Sequence, residues 1–463
     1  EIASRNKRLS HGGSTTSRRT RARPAILRRC FRKSLPNLRM NRGATGARKV
    51  LQLTEQGPFM RRAIHACSAT AAAILFATAS FSQEGTGGQE PFGPYVPVPD
   101  WPKDIATMPG NEGWTWGAVQ SIFAESSDRI FILQRGVLPA IERPETRLIE
   151  EQGTLLQFPT GRNYAWRDNT MPWRDGTAAS PDHNNDHGWG IWEGAGYRRG
   201  VDAKWQHCLV VVDGEGNIVE TWDQWDDMFV KPHAIHVNPY DPDKHIWVVD
   251  DFAHAIYKFT NDGSEIVQTL GVPNVPGDDA NHFARPTFMA FLPDAIFVAD
   301  GYVNSRVVKF DADGNYLMEW GQEGVLPNEK RPGYFNSLHG IDVDPASGRV
   351  FISDRQNNRM QVFTADGEFV TQWPFGDPPS DSQYLIVAHD AVWVMDAGTT
   401  KLLKYDLDGN FLYSWGTWGR FPGGMWGVHG MSVDELGNFY IAEVNNGRVQ
   451  KFQPRADADP DLT

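Results

Sequence analysis

The sequence predicts an all-β protein, a six-bladed β-propeller. An apolar, β-branched run that ends in an acidic residue recurs at intervals of about 50 residues. A polar turn and a second apolar run follow each copy, and four copies continue through an Asx-Gly turn into a third run. A small sheet of such strands cannot bury both faces by itself, whereas sheets stacked around a common axis bury one another.

The repeat occurs in five clear copies and one degenerate copy. The clear copies read IWVVDDFAHAIYKF from Ile246, IFVADGYVNSRVVKF from Ile296, VFISDRQNNRMQVF from Val350, VWVMDAGTTKLLKY from Val392 and FYIAEVNNGRVQKF from Phe439. We call the acid in each copy the marker residue of its blade; the five markers are Asp250, Asp300, Asp354, Asp396 and Glu443. Gln134 occupies the same slot in the first copy, IFILQRG, and is the marker of that copy, so the repeat predicts six blades over residues 114–454.

The first blade is interrupted. It begins near Trp114, and its outer strands resume only at Cys208, which leaves an insertion over residues 142–206 that is rich in Trp, Arg, Asp and His. Loops of this length are usually functional or disordered, and the aromatic content argues against disorder. We therefore expect the insertion to fold as a lid over the channel mouth or as a subunit contact, and we assign no metal role to its His183 and His187.

The sixth blade lacks a fourth strand of its own, because no Asx-Gly turn follows GRVQKFQP, which ends at Pro454. A propeller can close by taking a strand from the other terminus, which removes an exposed sheet edge. Within the lead-in over residues 83–113, YVPVP from Tyr95 is the candidate, and its prolines restrict it to an edge position. Residues 455–463 are expected to form a tail.

Residues 1–82 are predicted to lie outside the fold. The first 59 residues are rich in Arg and lack apolar periodicity, and MRRAIHACSATAAAILFATASFSQE from Met60 has the basic start, short apolar stretch and small residues of a secretory signal peptide. That apolar stretch is too short for a membrane span. We expect residues 1–59 to be a disordered basic segment outside the true protein, cleavage of the signal peptide (60–82) near Ser82, and export to the periplasm or the exterior.

Loss of this leader changes the charge balance. Residues 1–82 hold 17 of the 45 basic and 2 of the 57 acidic side chains, so the remaining chain has a formal net charge of −27, against −12 for the whole sequence. Such a surface disfavours nucleic acid and anionic membrane surfaces as partners. Only Cys208 of the three cysteines remains, which excludes an intrachain disulfide.

Three histidines occupy matched positions in alternate blades. His233, His339 and His429 lie 17, 15 and 14 residues before the markers of the second, fourth and sixth copies. Alternate blades of a six-fold ring stand roughly 120° apart, so the three imidazoles should converge on the axis. Three histidine ligands with an open position form a catalytic zinc site, whereas unrelated histidines in polar loops would not share this register.

Three further residues adjoin marker positions, where strands turn toward the channel. Arg135 directly follows Gln134, Arg355 directly follows Asp354, and Tyr302 lies two residues after Asp300. Two guanidinium groups suit a carboxylate, and a tyrosine near a divalent cation can act as a base. Alternatively, Arg355 could pair with acids of the blade turns and Tyr302 could simply line the channel. Three arginines that share another repeat position are assigned a structural role: Arg306, Arg359 and Arg448.

The segments QRG, KPHAI, NHFARPTF, DGYVNSRVVKF, LHGIDV, SDRQNNR and VHGMSV follow in this order along the chain. Together they resemble the peptidyl-α-hydroxyglycine α-amidating lyase family, which has a six-bladed NHL-type propeller. The resemblance implies a Zn²⁺ held by three histidines, which match His233, His339 and His429. It also implies a catalytic tyrosine and two active-site arginines, which match Tyr302, Arg135 and Arg355.

The chain departs from this family in three respects. The structural calcium of the family uses an Asp directly after the third histidine, where this chain has Gly430, so Ca²⁺ is doubtful even though Ile122 and Ile235 match the carbonyl donors. The disulfide beside the catalytic tyrosine has no counterpart, because Ala284 and Val303 occupy its positions. The partner copper monooxygenase domain has no counterpart either, so a separate hydroxylating enzyme is expected upstream.

The resemblance implies cleavage of an α-hydroxyglycine-type amide, carried by a peptide or a small molecule, to a primary amide and glyoxylate. Two alternatives remain open at this point. The first is an exported NHL propeller that binds a ligand and retains an inert metal. The second is a zinc-dependent hydrolase on the same scaffold. The tyrosine favours the lyase, since a hydrolase would more naturally use Asp or Glu as a base for water.

Overall fold

The structure, a computed structural model, describes residues 91–140, 147–148, 157–158, 204–325, 329–376 and 379–459. In these ranges the chain forms six four-stranded antiparallel sheets, and the predicted all-β six-bladed propeller is confirmed. The helical segments of these ranges are single 3-10 turns. None of the helices described is long and apolar enough to cross a membrane.

Each blade runs from an innermost strand at the axis to an outermost strand at the rim. Blade 1 contains β2 (Trp114–Ser126), β3 (Arg129–Pro139), β6 (Leu209–Val212) and β7 (Ile218–Thr221). Blade 2 contains β8 (Pro232–Val237), β9 (Ile246–Asp250), β10 (Ala255–Phe259) and β11 (Ile266–Leu270). Blade 3 contains β12 (Pro286–Leu292), β13 (Ala295–Asp300), β14 (Arg306–Asp311) and β15 (Tyr316–Trp320).

The second half of the ring repeats this order. Blade 4 contains β18 (Leu338–Asp344), β19 (Arg349–Asp354), β20 (Arg359–Thr364) and β21 (Phe369–Pro374). Blade 5 contains β22 (Ser382–Ala388), β23 (Ala391–Asp396), β24 (Lys401–Asp406) and β25 (Phe411–Trp415). Blade 6 contains β26 (Val428–Val433), β27 (Phe439–Glu443), β28 (Arg448–Pro454) and β1 (Tyr95–Pro97). Two short pairs lie outside the blades: β4 (Arg147–Leu148) with β5 (Gln157–Phe158), and β16 (Gln322–Glu323) with β17 (Tyr334–Phe335).

The ring closes through the segment YVPVP. Strand β1 pairs antiparallel with β28, with Tyr95 opposite Pro454, and the backbone N–H of Val98 donates to the carbonyl of Lys451 at 2.8 Å. The prolines are tolerated because β1 is an edge strand, and its outer edge has no neighbouring strand that would require a backbone N–H donor. The first part of the chain thereby supplies the last strand of the last blade and covers its open edge.

The core lies between neighbouring blades. Phe131 of blade 1 packs in one cluster with Val248 of blade 2, and Ile132 of blade 1 packs in another with Tyr440 of blade 6. Both faces of the inner strands are therefore covered, and β9 is buried at all five positions. This double burial explains why the repeats read as continuous apolar runs rather than as alternating ones.

The marker residues connect the second strand of each blade to the entry of its innermost strand. In blade 2, the buried carboxylate of Asp250 accepts the backbone N–H of Lys231 at 2.9 Å, and in blade 4, Asp354 accepts that of Asn336 at 2.8 Å. The same bond is present in every blade. The six backbone donors are those of Gly117, Lys231, Ala284, Asn336, Asp381 and Trp426. Each innermost strand is therefore fixed where it enters the channel.

Three of the markers also pair with an arginine of the third strand. These pairs are Arg306 with Asp300 at 3.0 Å, Arg359 with Asp354 at 2.7 Å, and Arg448 with Glu443 at 3.0 Å. Burial raises the pKa of Asp300 to about 6 even though Asn304 and Arg306 donate to it. The shared repeat position of these arginines thus corresponds to a shared structural contact.

Several predicted segments lie outside the described residues. They are the basic segment and signal peptide within residues 1–82, and the lid within residues 142–206 apart from β4, β5 and residues 204–206. The chain rejoins blade 1 through a two-way backbone pairing between Lys204 and Val137, with N···O distances of 2.8 and 2.9 Å.

The substitution Arg306→Ala should lower the free energy of unfolding by about 3–5 kcal/mol, because it leaves the fully buried Asp300 without its cation. Denaturant unfolding of the purified protein measures this change. Lys309→Ala is the matched control, since Lys309 pairs with the exposed Asp366 and should cost less than about 1 kcal/mol. Equal losses for the two variants would contradict the structural role of Arg306.

Candidate metal centre

One position per blade forms a ring around the channel. On each innermost strand, we call the residue that directly follows the ladder partner of the marker the ring residue of that blade. The six ring residues are Gln120, His233, Thr287, His339, Gln383 and His429. Histidines therefore alternate with glutamine or threonine around the ring, and the position of each ring residue is set by the register of its own sheet.

The three histidines converge. One ring nitrogen from each of His233, His339 and His429 lies within 4.8 Å of the other two. The distances between ring centroids are 4.7, 5.1 and 5.2 Å. Three ring nitrogens this close together, on side chains that are at most 7% exposed, are suited to holding one metal ion.

The other nitrogen of each imidazole is bonded to the next blade. Nδ1 of His233 lies 3.0 Å from the carbonyl oxygen of Thr287, Nδ1 of His429 lies 2.7 Å from that of Gln120, and Nδ1 of His339 contacts that of Gln383. A carbonyl oxygen can only accept, so each Nδ1 must carry the proton. Each Nε2 is therefore left with a lone pair, as ligation requires. The residues present fit a metal.

Burial also keeps these imidazoles neutral. Burial lowers the pKa of His429 to about 3, and burial together with neighbouring positive charge lowers the pKa of His233 and of His339 well below the ordinary value. Arg135 contributes to the shift at His233, and Arg355 to the shift at His339. Protons consequently compete poorly with a metal ion for the three nitrogens near neutral pH.

Tyr302 lies directly at the three histidines. Its hydroxyl oxygen is 3.1 Å from Nε2 of His233 and 2.7 Å from Nε2 of His339. The guanidinium carbon of Arg285 lies 4.3 Å from the centre of the Tyr302 ring. The phenol oxygen thus contacts two of the nitrogens that could bind a metal, and the phenol ring faces the positive charge of Arg285.

Arg135 and Arg355 line the same cavity, which has a volume of about 350 Å³ and is also lined by Tyr302 and His429. Arg135 is 2% exposed and donates through Nε to the carbonyl of Pro232 at 3.3 Å. Arg355 forms a forked pair with Asp381, with N···O distances of 2.7 and 3.1 Å. The structure therefore brings all six predicted site residues to one place.

Sequence reasoning missed four charged residues of this cavity: Lys231, Asp251, Arg285 and Asp381. The signal was available in the repeat. Asp251 directly follows a marker, as Arg135 and Arg355 do, and the other three residues each lie two positions before a ring residue. Once the register is known, both positions of every blade are candidates for the channel mouth.

Gly430, where this chain lacks a calcium-binding aspartate, lies one position after the ring residue His429. At this register Phe288 and Tyr384 stack with ring centroids 4.2 Å apart, and Phe288 also packs against the imidazoles of His233 and His339. A Cβ added at Gly430 would come within 2.8 Å of the Cα of Ser121. Aromatic rings thus occupy this register in blades 3 and 5, and an aspartate at 430 would require the neighbouring strand to shift, which disfavours a Ca²⁺ ligand at this position.

Comparison with known proteins agrees with the motifs. The NHL repeat family matches residues 335–363 and 425–452, in blades 4 and 6. Peptidyl-glycine alpha-amidating monooxygenase A of Xenopus laevis is 32% identical over 201 residues, 41% of this chain and 20% of that protein. A probable peptidyl-alpha-hydroxyglycine alpha-amidating lyase of Caenorhabditis elegans is 33% identical over 158 residues, 34% of this chain and 43% of that protein.

A third relative extends the match. Peptidyl-alpha-hydroxyglycine alpha-amidating lyase 1 of Drosophila melanogaster is 28% identical over 273 residues, which is 54% of this chain and 49% of that protein. The aligned part spans between a fifth and a half of the length of these relatives. The predicted resemblance is confirmed: the chain carries NHL repeats and is similar in sequence to the peptidyl-α-hydroxyglycine α-amidating lyases.

Proposed function

We propose that this chain is a zinc-dependent lyase that cleaves the C–N bond of an α-hydroxyglycine-type amide to a primary amide and glyoxylate. The observation that carries the proposal is that three buried imidazoles meet one tyrosine, at a cavity that this tyrosine and two arginines line. The similarity to named amidating lyases supports the same reaction.

The two arginines would bind the carboxylate of the substrate. Arg135 and Arg355 both line the cavity, and a guanidinium matches a carboxylate with two parallel N–H donors. Arg355 would share its fork between Asp381 and the substrate, whereas Arg135 is held from behind by the carbonyl of Pro232. The α-hydroxyglycine end of the substrate would thereby be directed toward the histidines.

His233, His339 and His429 would hold the metal. A Zn²⁺ bound there supplies Lewis acidity, which lowers the pKa of a substrate hydroxyl. The Tyr302 oxygen lies within 3.1 Å of two of these imidazoles and would take the hydroxyl proton, while the charge of Arg285 over its ring stabilises the phenolate. As the C–N bond breaks, the bonding pair leaves on nitrogen, which receives a proton. No water is consumed.

A zinc-dependent hydrolase is the second candidate, because one observation favours it. The carboxylate of Asp251 faces the same cavity and could serve as the base for a water molecule. The two candidates differ in their products: a lyase releases glyoxylate from a carbinolamide, whereas a hydrolase cleaves esters, lactones or amides with uptake of water.

The substrate would be a peptide or a small molecule with an α-hydroxyglycine-like end. Such a group is made by hydroxylation of a glycine α-carbon, so we propose a separate hydroxylating enzyme upstream. We further propose that residues 60–82 direct export and that the mature protein acts in the periplasm or outside the cell.

The direct test is to incubate the purified, zinc-loaded protein with an N-acyl-α-hydroxyglycine and to measure glyoxylate. We expect release of glyoxylate and the primary amide in equal amounts. The spontaneous reaction without protein is the baseline, and release no faster than this baseline would overturn the proposed function.

Replacement of any one of His233, His339 or His429 by Ala should abolish stoichiometric zinc, because two ligands do not hold the ion in a four-coordinate site. Elemental analysis after dialysis is expected to find about one zinc per wild-type chain. His236→Ala is the matched control. It also changes a buried histidine of β8, but one that lines a different cavity, and it should keep its zinc. Loss of zinc in this control would show that the site responds to general damage.

Tyr302→Phe should retain zinc and fold but lower kcat by roughly 10²–10⁴-fold, the usual contribution of a positioned acid–base group. Tyr384→Phe is the control, since it removes a channel hydroxyl that lines the other cavity and should leave kcat within about twofold. Glyoxylate release over time measures both. Near-normal turnover by Tyr302→Phe would exclude the tyrosine as the base while leaving the metal site intact.

A further inference from the structure

We propose that Asp251 is a substrate-binding residue that accepts a hydrogen bond from the N–H next to the substrate's carboxylate, so that the site selects secondary amides. This inference rests on the proposed function, because it takes the substrate carboxylate to lie at Arg135.

The two carboxylate oxygens of Asp251 have unequal partners. Asp251 is fully buried and lines the cavity beside the histidines. Its Oδ2 accepts from Nε of Arg285 at 3.0 Å and from Nη2 at 2.6 Å. Its Oδ1 has no hydrogen-bond partner among the described residues, and Nη2 of Arg135, at 3.7 Å, is beyond hydrogen-bond distance. One buried oxygen of this cavity-lining carboxylate therefore lacks a hydrogen-bond donor among the described residues.

Three neighbouring cations set the charge state of Asp251. Burial would raise the pKa of Asp251, but the positive charges of Arg285, Lys231 and Arg135 outweigh it and hold the pKa below its ordinary value. The carboxylate is therefore ionised and can only accept. An ionised acceptor that lacks a donor in a buried site is costly, so a ligand that supplies the donor gains the corresponding free energy.

The charges around Asp251 restrict which donor can pair with its Oδ1. A cationic group is disfavoured, because three side-chain cations already surround Asp251. The donor must therefore be a neutral N–H or O–H. The α-hydroxyl of the substrate is directed to the histidines and Tyr302, which leaves the amide N–H attached to the same carbon as the carboxylate. Arg135 and Asp251 stand side by side, so one can hold the carboxylate while the other accepts this N–H.

The arrangement around Asp251 is rigid. Arg285 is fixed between two aromatic rings, with its guanidinium carbon 4.3 Å from the centre of Phe252 and 4.3 Å from that of Tyr302. Lys231 covers the same Phe252 ring at 4.2 Å. A site preorganised around an N–H acceptor discriminates strongly against an analogue that lacks the N–H, since the buried oxygen is then left unpaired.

The test compares two unhydroxylated probes of nearly equal shape, N-acetylglycine and acetoxyacetate, in which an ester oxygen replaces the N–H. Binding to the zinc-loaded full chain is measured by calorimetry, and NMR checks that the ester stays intact. The wild type should bind N-acetylglycine roughly 10- to 100-fold more tightly, the range for a hydrogen bond to a charged group. In Asp251→Asn, Arg285 keeps the amide oxygen, the NH₂ faces the cavity, and the preference should vanish.

Asp381→Asn is the matched control, because Asp381 also pairs with an arginine of this cavity but has its second oxygen bonded by Gln383. It should keep the wild-type preference for N-acetylglycine. Equal preference in wild type and Asp251→Asn would overturn the inference and reduce Asp251 to a positioning residue for Arg285.

Binding of the two probes to the wild-type protein tests the inference even if the variants do not fold. Absence of a preference for N-acetylglycine in the wild type overturns the inference without any substitution. The proposed function fails separately, when an N-acyl-α-hydroxyglycine yields no glyoxylate. Glyoxylate release without the binding preference would refute only the role of Asp251, whereas the preference without glyoxylate would refute only the lyase.

Discussion

The candidate site depends on one hydrogen bond that is repeated in every blade. The buried marker of the second strand accepts a backbone N–H two or three residues before the ring residue. This bond fixes the register of the innermost strand. Since side chains alternate between the two faces of a strand, a slip of one residue in β8 would turn His233 away from the channel. The buried acids thus serve the site without touching it, which explains why the fold retains ionisable groups at positions where burial raises the pKa of Asp250 and Asp300 to about 6.

The six blades divide the work of the site between them. The even blades supply the imidazoles, and the odd blades supply the carbonyl oxygens that accept from Nδ1, always in the direction of the next blade. Because these carbonyls belong to ring residues at the same register, the tautomer of each histidine follows from the symmetry of the propeller and needs no dedicated side chain. The odd ring residues, Gln120, Thr287 and Gln383, can therefore vary in side chain while the backbone keeps its function.

Much of this could be predicted from the sequence, because the repeat turns position into geometry. The spacing between histidines and markers predicts that three rings meet, and they do. The role of Asp251 could not be predicted in the same way. It directly follows a marker, as Arg135 and Arg355 do. Its proposed role, however, depends on Arg285 of the next blade, which donates to one of its oxygens and leaves the other without a donor. Contacts between blades depend on side-chain direction and local backbone, such as the left-handed φ of 63° at Arg285, and neither follows from the repeat period.

Charge distribution connects the site to its surroundings. The whole sequence carries a formal net charge of −12, whereas four basic and two acidic side chains line the cavity at the histidines: Arg135, Lys231, Arg285, Arg355, Asp251 and Asp381. A positive cleft with low-dielectric walls concentrates field lines and favours the entry of an anion. The histidines add no charge, because burial holds their pKa values far below neutrality. A bound divalent cation would therefore add to this positive field. An anionic ligand would then be attracted both by the guanidinium groups at the mouth of the cavity and by the metal at the ring of histidines.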